Sequence, residues 1–239
     1  ISSICDARLI WGGDKSINDI RMFRLQERAI DLTFADRYSF CVLNSDKILK
    51  LNDFKINRLV ENFYNDTYVV DQNACSSPHL IIWLGSKMLK ARNKFWNKLY
   101  DYTRKKYKMP SIASVDKYNK LCGNILSSNN LKREERYGNL IYTVLLKKLD
   151  TNPNNIRGKW GYFYEYNTND LKKIAKYISN KYQTLTYFGI DKNSLKNFVM
   201  NNQLDGVDRI VPVGQALDIS LSWDGYDMNK ILSRIVVVK

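Results

Sequence analysis

The sequence predicts an α/β fold with a largely parallel sheet, and three observations predict it. Short apolar runs alternate with helical patterns through residues 160–211, the mark of parallel strands joined by helical crossovers. Ile56, Leu59, Val60, Phe63 and Tyr64 recur at three- and four-residue steps, which gives one buried helix face. Residues 80–84 form an apolar run with β-branched members, the pattern of a buried strand.

The elements follow in order. Residues 5–11 read as a short strand ended by Gly12 and Gly13, and Asp14 can cap the helix that follows. Glycines between a strand and a helix let backbone approach a ligand; they also make an ordinary turn. Residues 29–43 read as strand-like, with Phe40, Cys41, Val42 and Leu43 as the apolar end. Asn52 or Asp53 caps a helix running to about Asp66. Residues 88–107 form a helix whose Phe95, Trp96, Leu99 and Tyr100 cluster as core, and Pro110 breaks it. Val115, Tyr118, Cys122, Ile125 and Leu126 mark another amphipathic helix. Residues 127–137 and 150–158 read as loops, and 140–146 as a strand between them. Strands at 160–166, 185–188 and 207–211 then alternate with helices at 171–178 and 195–202. Past Gly214 the chain is loop-like until a short helix at 228–232 and a final strand at 235–238.

Composition narrows the function. The 239 residues carry a formal charge of +14, but Lys and Arg are spread along the chain. The one dense run, at 104–108, reads as the solvated end of a helix, so no specific nucleic-acid partner is expected. A basic surface equally suits an anionic thioester or dinucleotide. No apolar run approaches the ~20 residues of a membrane span. Cys5, Cys41, Cys75 and Cys122 are far apart, with no CxxC pair or Cys/His cluster, so no metal site is expected. Reduced thiols and a cytoplasmic location fit. The chain opens on Ile1 in the middle of a pattern, which suggests a piece of a longer protein.

Chemistry concentrates at residues 69–85. An amphipathic helix runs in, an apolar strand leaves, and the crossing between them is small, polar and carries Cys75. Small neighbours let a substrate approach the sulfur, which suits covalent catalysis; a buried, inert thiol is the alternative. His79 is four residues away, but Pro78 and the run after it make the segment extended, and four strand residues span about 13 Å. A Cys–His dyad is therefore not expected, and His79 reads as a surface or sheet residue.

Asp71-Gln72-Asn73-Ala74-Cys75-Ser76 resembles the nucleophile segment of the bacterial long-chain acyl-CoA reductases, the fatty acid reductases of luminous bacteria, within the aldehyde dehydrogenase superfamily. Leu9-Ile10-Trp11-Gly12-Gly13-Asp14, Asp205-Gly206-Val207-Asp208-Arg209-Ile210-Val211-Pro212 and Trp223-Asp224-Gly225-Tyr226-Asp227 match in the same order. The resemblance implies an aldehyde dehydrogenase-like fold: residues 1–50 ending a nucleotide-binding domain, 51–212 a catalytic domain, and 213–239 a C-terminal loop, helix and strand. It implies that Cys75 forms an S-acyl intermediate from acyl-CoA or acyl-carrier protein, which NADPH or NADH reduces to aldehyde. It places Gly12 and Gly13 at the nicotinamide. It also implies partner proteins of an acyl-activating complex and leaves a homo-oligomer open. The oxyanion amide and most cofactor contacts would lie in an N-terminal half outside this sequence.

One departure from the superfamily matters. Hydrolytic members carry a glutamate where Thr33 stands, and threonine cannot serve as the base that activates water. Trp223 and Asp224 line the acyl entrance or anchor the C-terminal loop, and anchoring is favoured. The alternative to an enzyme is a binding or assembly module with a relic site.

Overall fold

Residues 1–127 and 129–239 are described by a computed structural model. The chain opens with β1 (Ala7–Trp11), α1 (Asp14–Arg21) and β2 (Ile30–Phe34), and β1 pairs with β2 in parallel. Next come β3 (Tyr38–Asn44), α2 (Ser45–Leu49), α3 (Asp53–Thr67), β4 (Pro78–Leu84), α4 (Met88–Lys106) and α5 (Ser111–Ser127). Then follow β5 (Leu131–Tyr137), β6 (Ile141–Leu146), β7 (Tyr162–Thr168), α6 (Lys172–Ala175), β8 (Tyr182–Phe188), α7 (Lys192–Asn201) and β9 (Arg209–Pro212). The chain ends with β10 (Ser222–Trp223), β11 (Tyr226–Asp227) and α8 (Met228–Ile231).

The main sheet has the order β5-β6-β7-β4-β3-β8-β9 and is parallel except at β5, which pairs antiparallel with β6. Its central strands β3 and β4 are mostly apolar and buried because both faces are covered. Along β3, Phe40 and Val42 face one core with Leu121 of α5 and Leu195 of α7, while Cys41 and Leu43 face the other with Phe63 of α3 and Phe95 and Trp96 of α4. Arg92 is buried beside the second core, where fully buried Glu165 of β7 accepts from Arg92 Nε (2.9 Å), Trp83 Nε1 (2.6 Å) and Trp96 Nε1 (2.8 Å), and Glu135 of β5 lies 3.5 Å from Arg92.

Two compact units result, residues 38–218 and residues 1–37 with 219–239. These cuts differ from the expected boundaries at 50 and 212, because Tyr38–Asn44 pairs into the main sheet. In the smaller unit, Trp223 packs with Leu32 and Phe34, and Asp224 bonds Arg37 at 2.7 Å. Asp224 and Gly225 both take positive φ (53° and 82°), which gives the tight two-residue turn of the β10–β11 hairpin. Trp223 and Asp224 therefore anchor the C-terminal segment.

Several expectations are corrected. The single strand at 29–43 is two, β2 and β3, in different sheets. The loop at 127–137 contains strand β5, whose charged, mostly exposed side chains hid it; Ser128 lies outside the described residues. α5 is rotated from its expected face: it buries Ala113, Lys117 and Leu121 and exposes Val115, Tyr118, Ile125 and Leu126. Hydrogen bonds from Lys117 to the Asn139 and Trp160 carbonyls, and from Asn124 to the Tyr162 and Tyr164 hydroxyls, set that rotation. Residues 235–238 pair with no strand among the described residues and are exposed. Gly13, not Asp14, is the N-cap of α1. His79 is in the sheet but buried rather than at the surface.

Candidate active site

The segment holding Cys75 is fixed at both ends. After α3 a short 3₁₀ turn, Tyr68–Val70, leads into Asp71 and Gln72, whose φ values of 52° and 60° reverse the chain. Left-handed backbone at two successive non-glycine residues needs support. Gln72 N donates to Thr67 O at 2.7 Å, and Tyr107 Oη donates to Asp71 Oδ1 at 2.6 Å. The buried Gln72 side chain acts as a surrogate peptide between β4 and β7. Its Nε2 donates to Pro78 O (3.1 Å) and Tyr162 O (3.2 Å), and its Oε1 accepts from Gly161 N (3.1 Å). At the far end Ser77 Oγ donates to Asp66 O at 2.7 Å.

Cys75 is half-buried on this loop, at the junction that the sequence predicts. Two β-bulges meet beside it. Pro78 and His79 together oppose Ser39, and on the other side Gln183 and Thr184 oppose the same residue. Bulges re-aim side chains. Ser39 Oγ accepts from Thr184 N (3.1 Å) and donates to Cys75 O (2.7 Å), which ties the loop to the sheet. Gln183 Nε2 lies 3.4 Å from Cys75 Sγ as a donor, with Gln183 Oε1 accepting from Thr184 Oγ1 at 3.3 Å. A donor on sulfur favours the thiolate.

A charged layer lies against the loop. The Asp66 carboxylate accepts from Gly214 N (2.7 Å) and Ala216 N (2.8 Å). Burial pushes it up to about 7 despite those donors and Arg209. Arg209, beside Thr184 at the start of β9, donates to the Gln215, Ala216 and Asp218 carbonyls. Burial lowers its pKa, and Asp218, Asp66 and Cys75 oppose that shift.

His79 takes no part. Its ring stacks on Tyr38 at 5.3 Å, and burial first, then Arg157, pushes its pKa down to about 3. Gly12 and Gly13 lie in the smaller unit, between β1 and α1. A Cβ on Gly13 would meet nothing within 4 Å, and one on Gly12 only Ser16, at 3.3 Å. The backbone at Gly12 and Gly13 is open. Among the described residues no three metal-ligating side chains converge, and no helix is long and apolar enough to cross a membrane.

Sequence reading did not single out Ser39 or Gln183. Arg209 and Gln72 lay inside quoted motifs without a role. The signal available was polarity at the start of otherwise apolar strands.

The fold is that of the aldehyde dehydrogenases. The chain resembles an NAD-dependent benzaldehyde dehydrogenase from Corynebacterium glutamicum (TM-score 0.54, 10% identity, covering 88% of this chain and 47% of that one). It is comparably similar to aldehyde dehydrogenase 21 from Physcomitrella patens (0.56, 12%, 92% and 48%). A third likeness is to aldehyde dehydrogenase C from Pseudomonas syringae, solved with NAD+ and octanal (0.57, 8%, 87% and 45%). The chain spans about half the length of these structures. Residues 1–235 match the acyl-CoA reductase (LuxC) family, and the chain belongs to that family. No curated protein sequence matches it.

Proposed function

We propose that the chain is the Cys75-bearing part of an enzyme that reduces a fatty acyl thioester, from acyl-CoA or acyl-carrier protein, to aldehyde. The observation that carries this reading is the Cys75 sulfur, half-exposed on a pinned loop with the Gln183 amide directed at it, in a chain of the acyl-CoA reductase family.

The Cys75 thiolate attacks the thioester carbonyl carbon, and a new S–C bond forms. The carbonyl electron pair returns, the bond to the donor's sulfur breaks, and the donor leaves as a thiolate. An S-acyl Cys75 remains. A thiolate is both a good nucleophile and a good leaving group, so the same residue serves entry and exit. Ordinary thiols are only slightly ionised near neutral pH. The Gln183 N–H and the Arg209 charge favour the anion, while Ser39 and Gln72 hold the loop so that this geometry needs no reorganisation. A nicotinamide cofactor, NADPH or NADH, supplies when bound the hydride that converts the thioester carbon to aldehyde and releases the Cys75 thiolate. Gly12 and Gly13 offer it open backbone. Thr33, in β2, stands by resemblance where hydrolytic members carry their base, and a threonine cannot take a proton from water, so the acyl group would wait for hydride. The site works in a cytoplasmic enzyme supplied by partners of an acyl-activating complex.

The test is Cys75→Ala in the full-length protein. It is expected to fold with unchanged circular dichroism and to form no aldehyde from acyl-CoA and reduced cofactor. Aldehyde formation at the parent rate refutes the nucleophile assignment.

A further inference from the structure

A recess of about 260 Å³ opens between α5 and the segment leading into β7. Lys117, Lys120, Arg157 and Lys159 line it, against one carboxylate, Asp116. Like charges gathered around one cavity repel, and the repulsion reaches their neighbours. Burial and then Lys159 lower the pKa of Lys120. Arg157, Lys120 and Lys159 all act on buried His79 in the same direction. An anion in the recess relieves this crowding.

The aromatic at its edge is held in place. Trp160 has φ 53°, a conformation bulky residues rarely adopt, and Gly161 follows at 81°. Trp160 N donates to Asp71 O at 3.2 Å and Trp160 O accepts from Lys117 Nζ at 2.9 Å, which maintains the strain. The indole stays half-buried, with Lys159 Nζ 5.9 Å from its centroid. A flat π-face beside several cations suits a purine that carries phosphates.

The recess and Cys75 share the edge of the sheet formed by the N-terminal ends of its parallel strands. Gln72, three residues before Cys75, binds Tyr162 O at the start of β7, and Ser39 at the start of β3 binds Cys75 O. β7 and β3 flank β4, so about 10 Å of sheet separates the two positions. An extended pantetheine arm spans such a distance.

We propose that this recess binds the phosphorylated adenosine end of a CoA thioester whose acyl end reaches Cys75. The inference rests on the acyl-CoA reductase reading above and adds where the donor is held. Calorimetry on the full-length protein with 3′-phospho-ADP tests it directly. Binding is expected, and Lys120→Ala and Lys159→Ala should each weaken it about ten- to a hundredfold, the usual effect of losing a charged contact. Inorganic phosphate should bind far more weakly, and NADPH should not displace the nucleotide. Absent binding, unchanged variants, equal affinity for phosphate alone, or displacement by NADPH each overturn the proposal. A second measurement separates it from the reading beneath it. The lysine variants should slow Cys75 acylation by acyl-CoA and leave acylation by acyl-pantetheine unchanged, whereas equal slowing with both donors counts against the recess. If neither donor acylates Cys75 in the parent, the reductase reading fails, and nucleotide binding still decides the recess.

Discussion

At Cys75 the proposed chemistry draws on the Gln183 amide. Gln183→Leu keeps the volume and removes the donor 3.4 Å from the sulfur. Cys75 alkylation by iodoacetamide at about pH 7 should slow by about tenfold, since a hydrogen bond to a charged group is worth roughly 1.5–3 kcal/mol. An unchanged rate means that the amide does not support the thiolate. Two buried titratable groups set opposite pH slopes on stability. His79 is held near 3, below its unfolded value of 6.5, so its contribution is present above about pH 6.5 and lost as pH falls toward 3. Asp66 is raised from 3.8 to about 7, so its contribution is full below about pH 4 and lost as pH rises through 7. His79→Phe retains a ring against Tyr38 and removes the first slope. Between about pH 7 and pH 4.5 it should lose about 2 kcal/mol less stability than the parent in urea unfolding. Equal losses contradict the neutral, buried assignment.

Among the elements, α4 and β7 are joined by the Arg92–Glu165 pair and the two indole donors. Glu165→Ala leaves two buried N–H groups unpaired and the buried Arg92 guanidinium with only the longer Glu135 contact at 3.5 Å. It should cost about 3–5 kcal/mol in urea unfolding, the range for breaking a buried pair from one side. A loss below about 1 kcal/mol would mean that water reaches the pair. The elements legible in the sequence were those whose burial follows composition. β4, α3 and the apolar end of β3 at 40–43 read correctly because helices cover both faces of the sheet and apolar spacing reports that directly. β5 was missed because an edge strand defended by Lys132, Arg133, Glu134 and Arg136 shows no apolar alternation. α5 was misoriented because Lys117 and Asn124 make its sheet contacts. The position of Cys75 between a helix and a strand was legible in its small polar surroundings; its proposed role came from the resemblance. Ser39 and Gln183 were not, since the bulges beside them arise from strand pairing distant in sequence, one of them between strands more than a hundred residues apart.

The whole molecule contains two compact units and belongs to a family whose reaction, as proposed here, passes through one covalent intermediate. In the proposed reaction Cys75 supplies the bond, and the resemblance sets Thr33 where a hydrolytic relative has its base. General-base assistance of that kind is typically worth about 100- to 10,000-fold, so the intermediate should be long-lived without hydride. The decisive measurement is peptide mass spectrometry of the full-length protein after mixing with acyl-CoA, over time, with and without reduced nicotinamide cofactor. The predicted result is an acyl group on the Cys75 peptide that persists without cofactor and leaves as aldehyde once cofactor is added. An unlabelled Cys75 peptide, or a label that disappears as fatty acid without cofactor, contradicts the account.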